Sequence, residues 1–348
     1  MKRLRKYFKL KGLYRLLCLL VYLFVVSCSP WRYAAQRNMT VVFYNVENLF
    51  DMEDEPGKED DEYTPHGARN WNMVKYQKKL NDISRVISSI NEGDLPEIVG
   101  LCEVENKKVV RDLIFTDLLA LGKYDLIHYE SPDIRGIDCA LIYRPAEFKV
   151  IDHFSVPVRF ENDPGYKTRD ILYVKGYTRN REEFHVFVNH WPSRIGGVRE
   201  TEARRLTAAR ILKNKVDSVM SVSPQSHIII MGDMNDEPAD SSLGKIINAG
   251  NSANNAGLVN LMIPEDLSDR GSYNYQGDRK MFDNLIVNQG LLDDKGFRCI
   301  ERRGYVFHHD WMENTTRNGE MIPYRTYEGT NYLGGISDHF PVYFRLRR

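Results

Sequence analysis

Short apolar runs separated by polar stretches dominate the chain after residue 40. Eight of them are four to six residues long and rich in Val, Ile, Phe and Tyr: Thr40–Tyr44, Glu97–Cys102, Cys139–Tyr143, Ile171–Val174, Phe184–Val188, His227–Met231, Phe282–Val287 and Val342–Leu346. That pattern predicts short buried strands. Two segments keep a period of three and four instead. Met73, Tyr76, Leu80, Ile83, Ile87 and Ile90 form one apolar stripe, and Leu206, Ala209, Leu212, Val216 and Val219 form another between Arg and Lys residues. Both predict amphipathic helices. The stretch from Ile246 to Gly277 is rich in Asn, Ser and Gly and reads as loops. No repeat and no Pro/Ser linker interrupts residues 40–348, which read as one domain.

A different pattern opens the chain. Residues 1–27 hold seven cations and no acid, and Leu16–Val26 is an unbroken apolar run of eleven residues. Such a run has the length of a signal-peptide core and is too short to span a bilayer as a helix. Val25-Val26-Ser27-Cys28 follows and resembles the lipobox of bacterial lipoproteins. The resemblance implies cleavage before Cys28, lipidation of Cys28, a tether over residues 28–39, and a membrane-anchored protein facing the periplasm or the cell exterior.

The formal net charge of zero hides this head. Without residues 1–27, 41 cations face 48 acids, a net of −7, so the body has no general basic field with which to gather polyanions. Cys102, Cys139 and Cys299 are the cysteines left in the body. Their spacing suits no zinc site, and Cys102 and Cys139 sit in apolar runs and read as buried small hydrophobes. Eight acids crowd Asp51–Glu62, a run expected to be a solvated loop rather than a cation site.

Polar residues fall at the ends of the predicted strands in a consistent way. Asn45 and Glu47 follow the first run, Glu103 the second, Asn189-His190 the fifth and Gly232-Asp233-Met234-Asn235 the sixth. Asp283 stands near the start of the seventh run, and Asp338-His339 precede the last. The end of one strand and the start of an antiparallel neighbour share an edge, so these groups are expected at one rim of a β-sandwich. Carboxylates and carboxamides gathered without soft ligands suit Mg²⁺, with Mn²⁺ or Ca²⁺ as alternatives.

Tyr44-Asn45-Val46-Glu47, Leu101-Cys102-Glu103-Val104, Asn189-His190-Trp191-Pro192, Gly232-Asp233-Met234-Asn235, Phe282-Asp283-Asn284-Leu285-Ile286 and Ser337-Asp338-His339-Phe340-Pro341-Val342 together resemble the endonuclease/exonuclease/phosphatase superfamily, which includes deoxyribonuclease I. The resemblance runs from about residue 40 to the C-terminus. It implies a four-layered α/β sandwich, with two mostly antiparallel sheets packed face to face and helices outside. It implies that Glu103, Asp338 and Asn45 serve the metal. His339 matches the catalytic histidine, with Asp283 as its orienting carboxylate, Asp233 and Asn235 position the attacking water and phosphate oxygens, and His190 serves the leaving oxygen. Arg135 and Arg194 are weaker phosphate candidates, and Asp138 is a weaker candidate to orient His190. Arg199, Arg204, Arg205 and Arg210 could extend the phosphate patch, and Tyr324, Tyr327 and Tyr332 could stack on bases.

The patterns of inositol-polyphosphate 5-phosphatases are missing. A nuclease acting on DNA or RNA as a monomer is therefore the first expectation, and a sphingomyelinase-like or small phosphoester hydrolase the second. A catalytically inactive surface binding protein is the third, disfavoured because the whole metal and proton-transfer set is present.

Overall fold

The computed structural model describes residues 38–348 except 92, 252–256, 276, 294, 316–318 and 320. The expected signal segment, Cys28 and the expected tether up to residue 37 lie outside the described residues. The last two tether positions, Asn38 and Met39, belong instead to the first strand.

Two seven-stranded sheets carry the fold. The first joins β1 (Asn38–Leu49), β2 (Ile98–Val104), β3 (Asp125–His128), β4 (Asp138–Tyr143), β12 (Arg298–Cys299), β13 (Tyr305–Val306) and β14 (Val342–Arg347) in the order β12-β14-β1-β2-β4-β3, with β13 also on β14. The second runs β5 (Phe148–Val156), β6 (Ile171–Thr178), β7 (Glu183–His190), β8 (His227–Asp233), β11 (Asp283–Asn288), β10 (Leu258–Asn260), β9 (Ala249–Gly250). Most neighbours are antiparallel, but β1–β2, β7–β8 and β9–β10 are parallel.

Alternation along each strand explains why the runs are apolar throughout rather than at every second position. Val41 and Phe43 of β1 enter the core between the sheets, with Val186, Val188, Ile229, Met231 and Leu285 from the other side. Val42 and Tyr44 point the other way, toward Tyr76, Leu80, Ile83 and Ile87 of α1 (Met73–Ser89) and Val109 and Val110 of α2 (Lys107–Ile114). Phe187, Ile228 and Ile230 likewise meet Ala209, Leu212 and Val216 of α3 (Val198–Val222). Both faces of each sheet are therefore buried, and helix, sheet, sheet and helix make four layers. The two sheets approach closely at Gly100, where a Cβ would stand 2.4 Å from the Met231 sulfur.

The acidic run is not a solvated loop throughout. Asp51 and Asp60 are buried. Asp51 Oδ2 lies 3.3 Å from Asn106 Nδ2 and Lys108 Nζ, and Lys58 Nζ donates to the backbone oxygens of Ser131 and Asp133. The segment is thus stitched to the loop before β4.

Two of the four α3 arginines expected to extend a phosphate patch are engaged within the fold instead. Arg205 is buried; its Nε donates to Asp236 Oδ1 at 2.7 Å, and its other nitrogens reach Thr201, Ser193 and Val198. Arg204 pairs with Asp163. Asp236 would keep Arg194 on the same oxygen, but loss of the buried Arg205 side chain leaves a cavity and takes a donor from the Ser193 and Val198 carbonyls. Arg205→Ala is accordingly expected to lower the thermal midpoint by several degrees without touching the chemistry. An unchanged melting curve would remove this residue from the fold's support. Among the described residues no helix is long and apolar enough to cross a membrane.

Candidate active site

Strand direction brings the polar ends together. β1 and β2 are parallel and leave their sheet at one end, where antiparallel β14 begins. Asn45, Glu103 and Asp338-His339 therefore share that edge. In the second sheet β7 and β8 are parallel, and antiparallel β11 begins where they end, in the register His190–Asp233 and Asp233–Asp283. Gly232 is required here, because a Cβ on it would stand 2.4 Å from the Asn189 carbonyl oxygen on β7. The two edges meet: Asn45 Nδ2 donates to Asp233 Oδ2 at 3.1 Å.

The backbone at this rim is bent to aim side chains. Glu47, Asn48, Glu103 and Asn235 all take positive φ, at 49°, 56°, 61° and 49°. The β1–β2 register breaks between Asn45 and Leu49, and the β2–β4 register between Cys102 and Val104. Bulges of this kind re-aim a side chain. Glu103 is the residue between, with Oε2 accepting from Asn48 N at 3.0 Å and Oε1 3.8 Å from His190 Nε2.

Around Glu103 the ionisable groups form a chain. His339 Nδ1 lies 2.6 Å from Asp283 Oδ2, and His339 Nε2 faces Asp233 Oδ2 at 3.8 Å. His190 Nε2 is 3.6 Å from the same Asp233 oxygen, and His190 Nδ1 is buried with no hydrogen-bond partner. Asp233 Oδ1 accepts from Asn235 N, while Asn235 Nδ2 donates to the Trp191 carbonyl. Ser337 Oγ donates to the Asn45 carbonyl and accepts from His339 N, which fixes the turn bearing both histidine and Asp338.

These contacts divide the protonation states. Burial works against the charged form of His339, yet the Asp283 carboxylate outweighs it and lifts the imidazole to about 10. His190 goes the other way, held well below the ordinary histidine range by burial and by the cations of Arg169, Arg135 and His339. Burial raises Asp233 to about 7, moderated by His339. The rim thus pairs a cationic imidazole with a neutral one across a carboxylate that titrates near neutrality.

Carboxylate and carboxamide oxygens of Asn45, Glu103, Asp233 and Asp338 gather at the rim beside the two imidazoles, while Cys102 and Cys139 are buried within the inter-sheet core. That set fits a hard divalent cation. Glu103, Asn45 and Asp338 would hold it, although Arg325 Nη2 lies 2.7 Å from Asp338 Oδ2. Asp233, Asp283 and His339 also come within mutual reach of one ion. The Asp283–His339 hydrogen bond already uses two of those three, so they serve better as a proton-handling unit.

Other expected residues are placed differently. Asp138 does not contact His190; its oxygens take Ser131 N at 2.8 Å and His128 Nε2 at 3.2 Å. The reason is that β3 pairs with β4 and brings His128 to the start of the latter. Arg194 is spent on Asp236, Asp240 and the Asn235 carbonyl, with its guanidinium over the Phe282 ring. It shapes the loop rather than offering a free cation. Arg135 is half-exposed, 3.6 Å from Asp133. Tyr327 is buried among Tyr63, Trp71 and Tyr332, and Tyr324 donates to the Leu333 carbonyl, so these two pack rather than stack on a ligand.

Four residues escaped the reading of the sequence. Arg169, buried, binds Asp133 and the Trp191 carbonyl behind His190. Arg325 holds Asp338, and Tyr273 lies against the His339 ring with centroids 4.7 Å apart. Lys79 on α1 is buried beneath Glu47, which burial and Asp338 push up to about 7. A signal for Arg169 existed: it precedes β6, which is antiparallel to β7, so the rule that finds Asp283 and His339 finds it too.

A family model described as Endonuclease/Exonuclease/phosphatase family matches residues 40–348. No curated protein matches the sequence. Similar solved structures include an endonuclease/exonuclease/phosphatase family protein from Bacteroides thetaiotaomicron (TM-score 0.57, 16% identity, covering 90% of this chain and 98% of that one). A mannosyl-6-phosphatase from the same organism follows (0.55, 16%, 88% and 99%). D. rerio TDP2 complexed with a single strand DNA product is another (0.56, 12%, 89% and 99%). At these identities the structures speak for the fold: the four-layered sandwich read from the motifs is the architecture found. Matched over nearly all of its body, the chain belongs to the endonuclease/exonuclease/phosphatase family.

Proposed function

We propose that this protein is an exported, divalent-metal-dependent phosphodiesterase that acts first on nucleic acid. The observation that supports this most is the chain Asp283–His339–Asp233 with His190 across it. Glu103, Asp338 and Asn45 are the residues to hold the cation, Mg²⁺ first and Mn²⁺ or Ca²⁺ in its place. When bound, it supplies positive charge to the phosphoryl and leaving oxygens.

The chain's own groups account for the rest. Asp233, raised to about 7, accepts a proton from the attacking water as the new P–O bond forms. His339, kept cationic by Asp283, donates a hydrogen bond from Nε2 to a non-bridging oxygen, where negative charge grows. Asn235 N holds the Asp233 carboxylate in place. With its proton on Nε2, neutral His190 donates a hydrogen bond to the oxygen that departs with the P–O bonding pair, and that oxygen takes its proton from solvent water.

This allotment predicts a dependence on the leaving group. His190→Ala should spare bis-p-nitrophenyl phosphate, whose p-nitrophenolate departs without help. It should slow a nucleotide substrate by roughly a hundredfold, the lower end for loss of one donor aimed at developing negative charge. Equal losses on both substrates would reduce His190 to a phosphate contact.

The likeness to a mannosyl-6-phosphatase makes phosphate monoesters the runner-up, ahead of sphingomyelinase-like activity. Rates on DNA, RNA, sphingomyelin, mannose 6-phosphate and bis-p-nitrophenyl phosphate, each with and without Mg²⁺, decide the class. Turnover of mannose 6-phosphate alone would overturn the nuclease reading.

Export rests on residues 1–28. Cys28→Ser should release the protein into the soluble fraction and remove the acyl mass. Wild type that carries no lipid on Cys28 and still sediments with membranes would end the lipoprotein reading.

A further inference from the structure

Asp338 is claimed twice at the rim. It is one of the residues proposed to hold the cation, yet its Oδ2 accepts from Arg325 Nη2 at 2.7 Å. A guanidinium and a divalent cation on one carboxylate repel each other, so occupation by one weakens the hold of the other.

The backbone around Arg325 is fixed on both sides. The Tyr324 carbonyl accepts from Ile336 N and Ser337 N, which ties the preceding residue to the turn bearing Asp338. Gly335 permits this approach, because a Cβ there would overlap the Tyr324 carbonyl oxygen. On the other side, Thr326 N donates to Glu47 Oε2 at 2.7 Å, and Thr326 Oγ1 accepts from the buried Lys79 Nζ at 2.6 Å. The backbone is held, while the side chain is 40% exposed and can turn.

Two features favour such a turn. Arg325 Nε is buried without a hydrogen-bond partner, so the pairing with Asp338 leaves a donor unsatisfied. Tyr273 places the guanidinium beside the proton-handling pair. Its ring lies against His339, and burial raises its hydroxyl to about 12, with Asp338 and then Arg325 next in effect. Arg325 and His339 therefore flank one mouth. Other arginines near the rim are held elsewhere, Arg169 by Asp133 and the Trp191 carbonyl, Arg194 by Asp236 and Asp240. Arg325 differs because its partner is a residue the cation would take, and its planar fork suits phosphate oxygens.

We propose that Arg325 is the phosphate clamp of this site: it balances Asp338 until a divalent cation takes that carboxylate, then turns its fork to an oxygen of the substrate phosphate. This exchange, which rests on the cation site proposed above, makes cation and phosphate assist each other through one side chain.

The test is calorimetric titration with Mn²⁺, with and without inorganic phosphate, of wild type, Arg325→Gln and Arg325→Lys. Gln removes the competing charge. It should bind Mn²⁺ alone roughly fivefold more tightly than wild type and lose roughly fivefold of the gain that phosphate gives, the lower end for coupling between sites. Lys keeps a charge beside Asp338 but not the fork, so it should bind Mn²⁺ nearly as wild type does and lose part of the phosphate gain. An arginine that merely props the loop would weaken Mn²⁺ binding when replaced. Weaker or equal Mn²⁺ binding by folded Arg325→Gln therefore overturns the exchange. Tighter Mn²⁺ binding with an unchanged phosphate gain overturns the clamp. If melting curves show that Gln does not fold, Lys decides: an undiminished phosphate gain there overturns the clamp as well. Glu103→Gln separates the two readings. Mn²⁺ binding that needs Glu103 but ignores Arg325 defeats the exchange alone, whereas wild type that binds no Mn²⁺ defeats the cation site and the exchange with it.

Discussion

His339→Ala is expected to slow phosphodiester hydrolysis by roughly 10²–10³-fold, the range for loss of one donor aimed at the negative charge that grows in the transition state, with little change in KM. Asp283→Asn should fall in the same range. The two side chains are buried and 2.6 Å apart, and Asp283 has no catalytic task except through the imidazole. The double variant Asp283→Asn/His339→Ala should therefore be little worse than His339→Ala alone, because groups that act as a unit are not additive. Fully additive losses would break the pair. Stability gives a second readout in metal-free buffer. Asp283 raises His339 from its ordinary 6.5 to about 10. A raised histidine contributes stability that is complete below its unfolded pKa and lost as pH rises through the folded one. The melting advantage of wild type over Asp283→Asn should thus be full below pH 6.5 and shrink toward pH 10. A pH-independent difference would mean that the two side chains merely pack.

Glu103→Gln should be nearly as damaging for a different reason. The amide fills the same volume and its oxygen can still accept from Asn48 N, so the bulge should survive. The charge is lost, and with it the strongest oxygen donor aimed into the rim. Charge stabilisation by a bound cation is worth several kcal/mol, so a fall of roughly 10³-fold or more is expected. Calorimetric titration with Mn²⁺ should show weakened binding while the melting point holds. Normal turnover by Glu103→Gln, or activity persisting in excess EDTA, would dismiss the metal assignment.

The strands that position chemistry were legible because they are buried on both faces. Such strands read as unbroken apolar runs, and Thr40–Tyr44 or His227–Met231 could hardly be anything else. β5 was not legible. It lies at a sheet edge, and Phe148 is its one fully buried position, so no apolar run marks it. α2 is only eight residues long, too short for a period to emerge from its neighbours. Rim membership was read correctly from strand ends, yet by half of the geometry. Asn45 and Glu103 meet because β1 and β2 are parallel, and only Asp283 and His339 meet the others through antiparallel pairing. Arginine partners were the weakest point. A charge in the sequence does not say whether it will face a ligand or an aspartate far along the chain, and Arg194 and Arg205 chose aspartates.

The bent backbone at the rim has a consequence for how this chain can change over generations. Glu47 and Glu103 hold left-handed conformations that cost a side chain with a Cβ roughly 1–2 kcal/mol each, whereas asparagine, found at 48 and 235, tolerates them better. Both carboxylates are also tied into the fold: Glu47 Oε2 accepts from Thr326 N near buried Lys79, and Glu103 Oε2 accepts from Asn48 N. Glycine at either position would relieve the strain, yet it would leave those backbone donors without their acceptor, at a cost of about 1–3 kcal/mol. Strain and hydrogen bonding are thus tied together at both positions, so a substitution that loosens the backbone there is expected to unpick the bond that holds it.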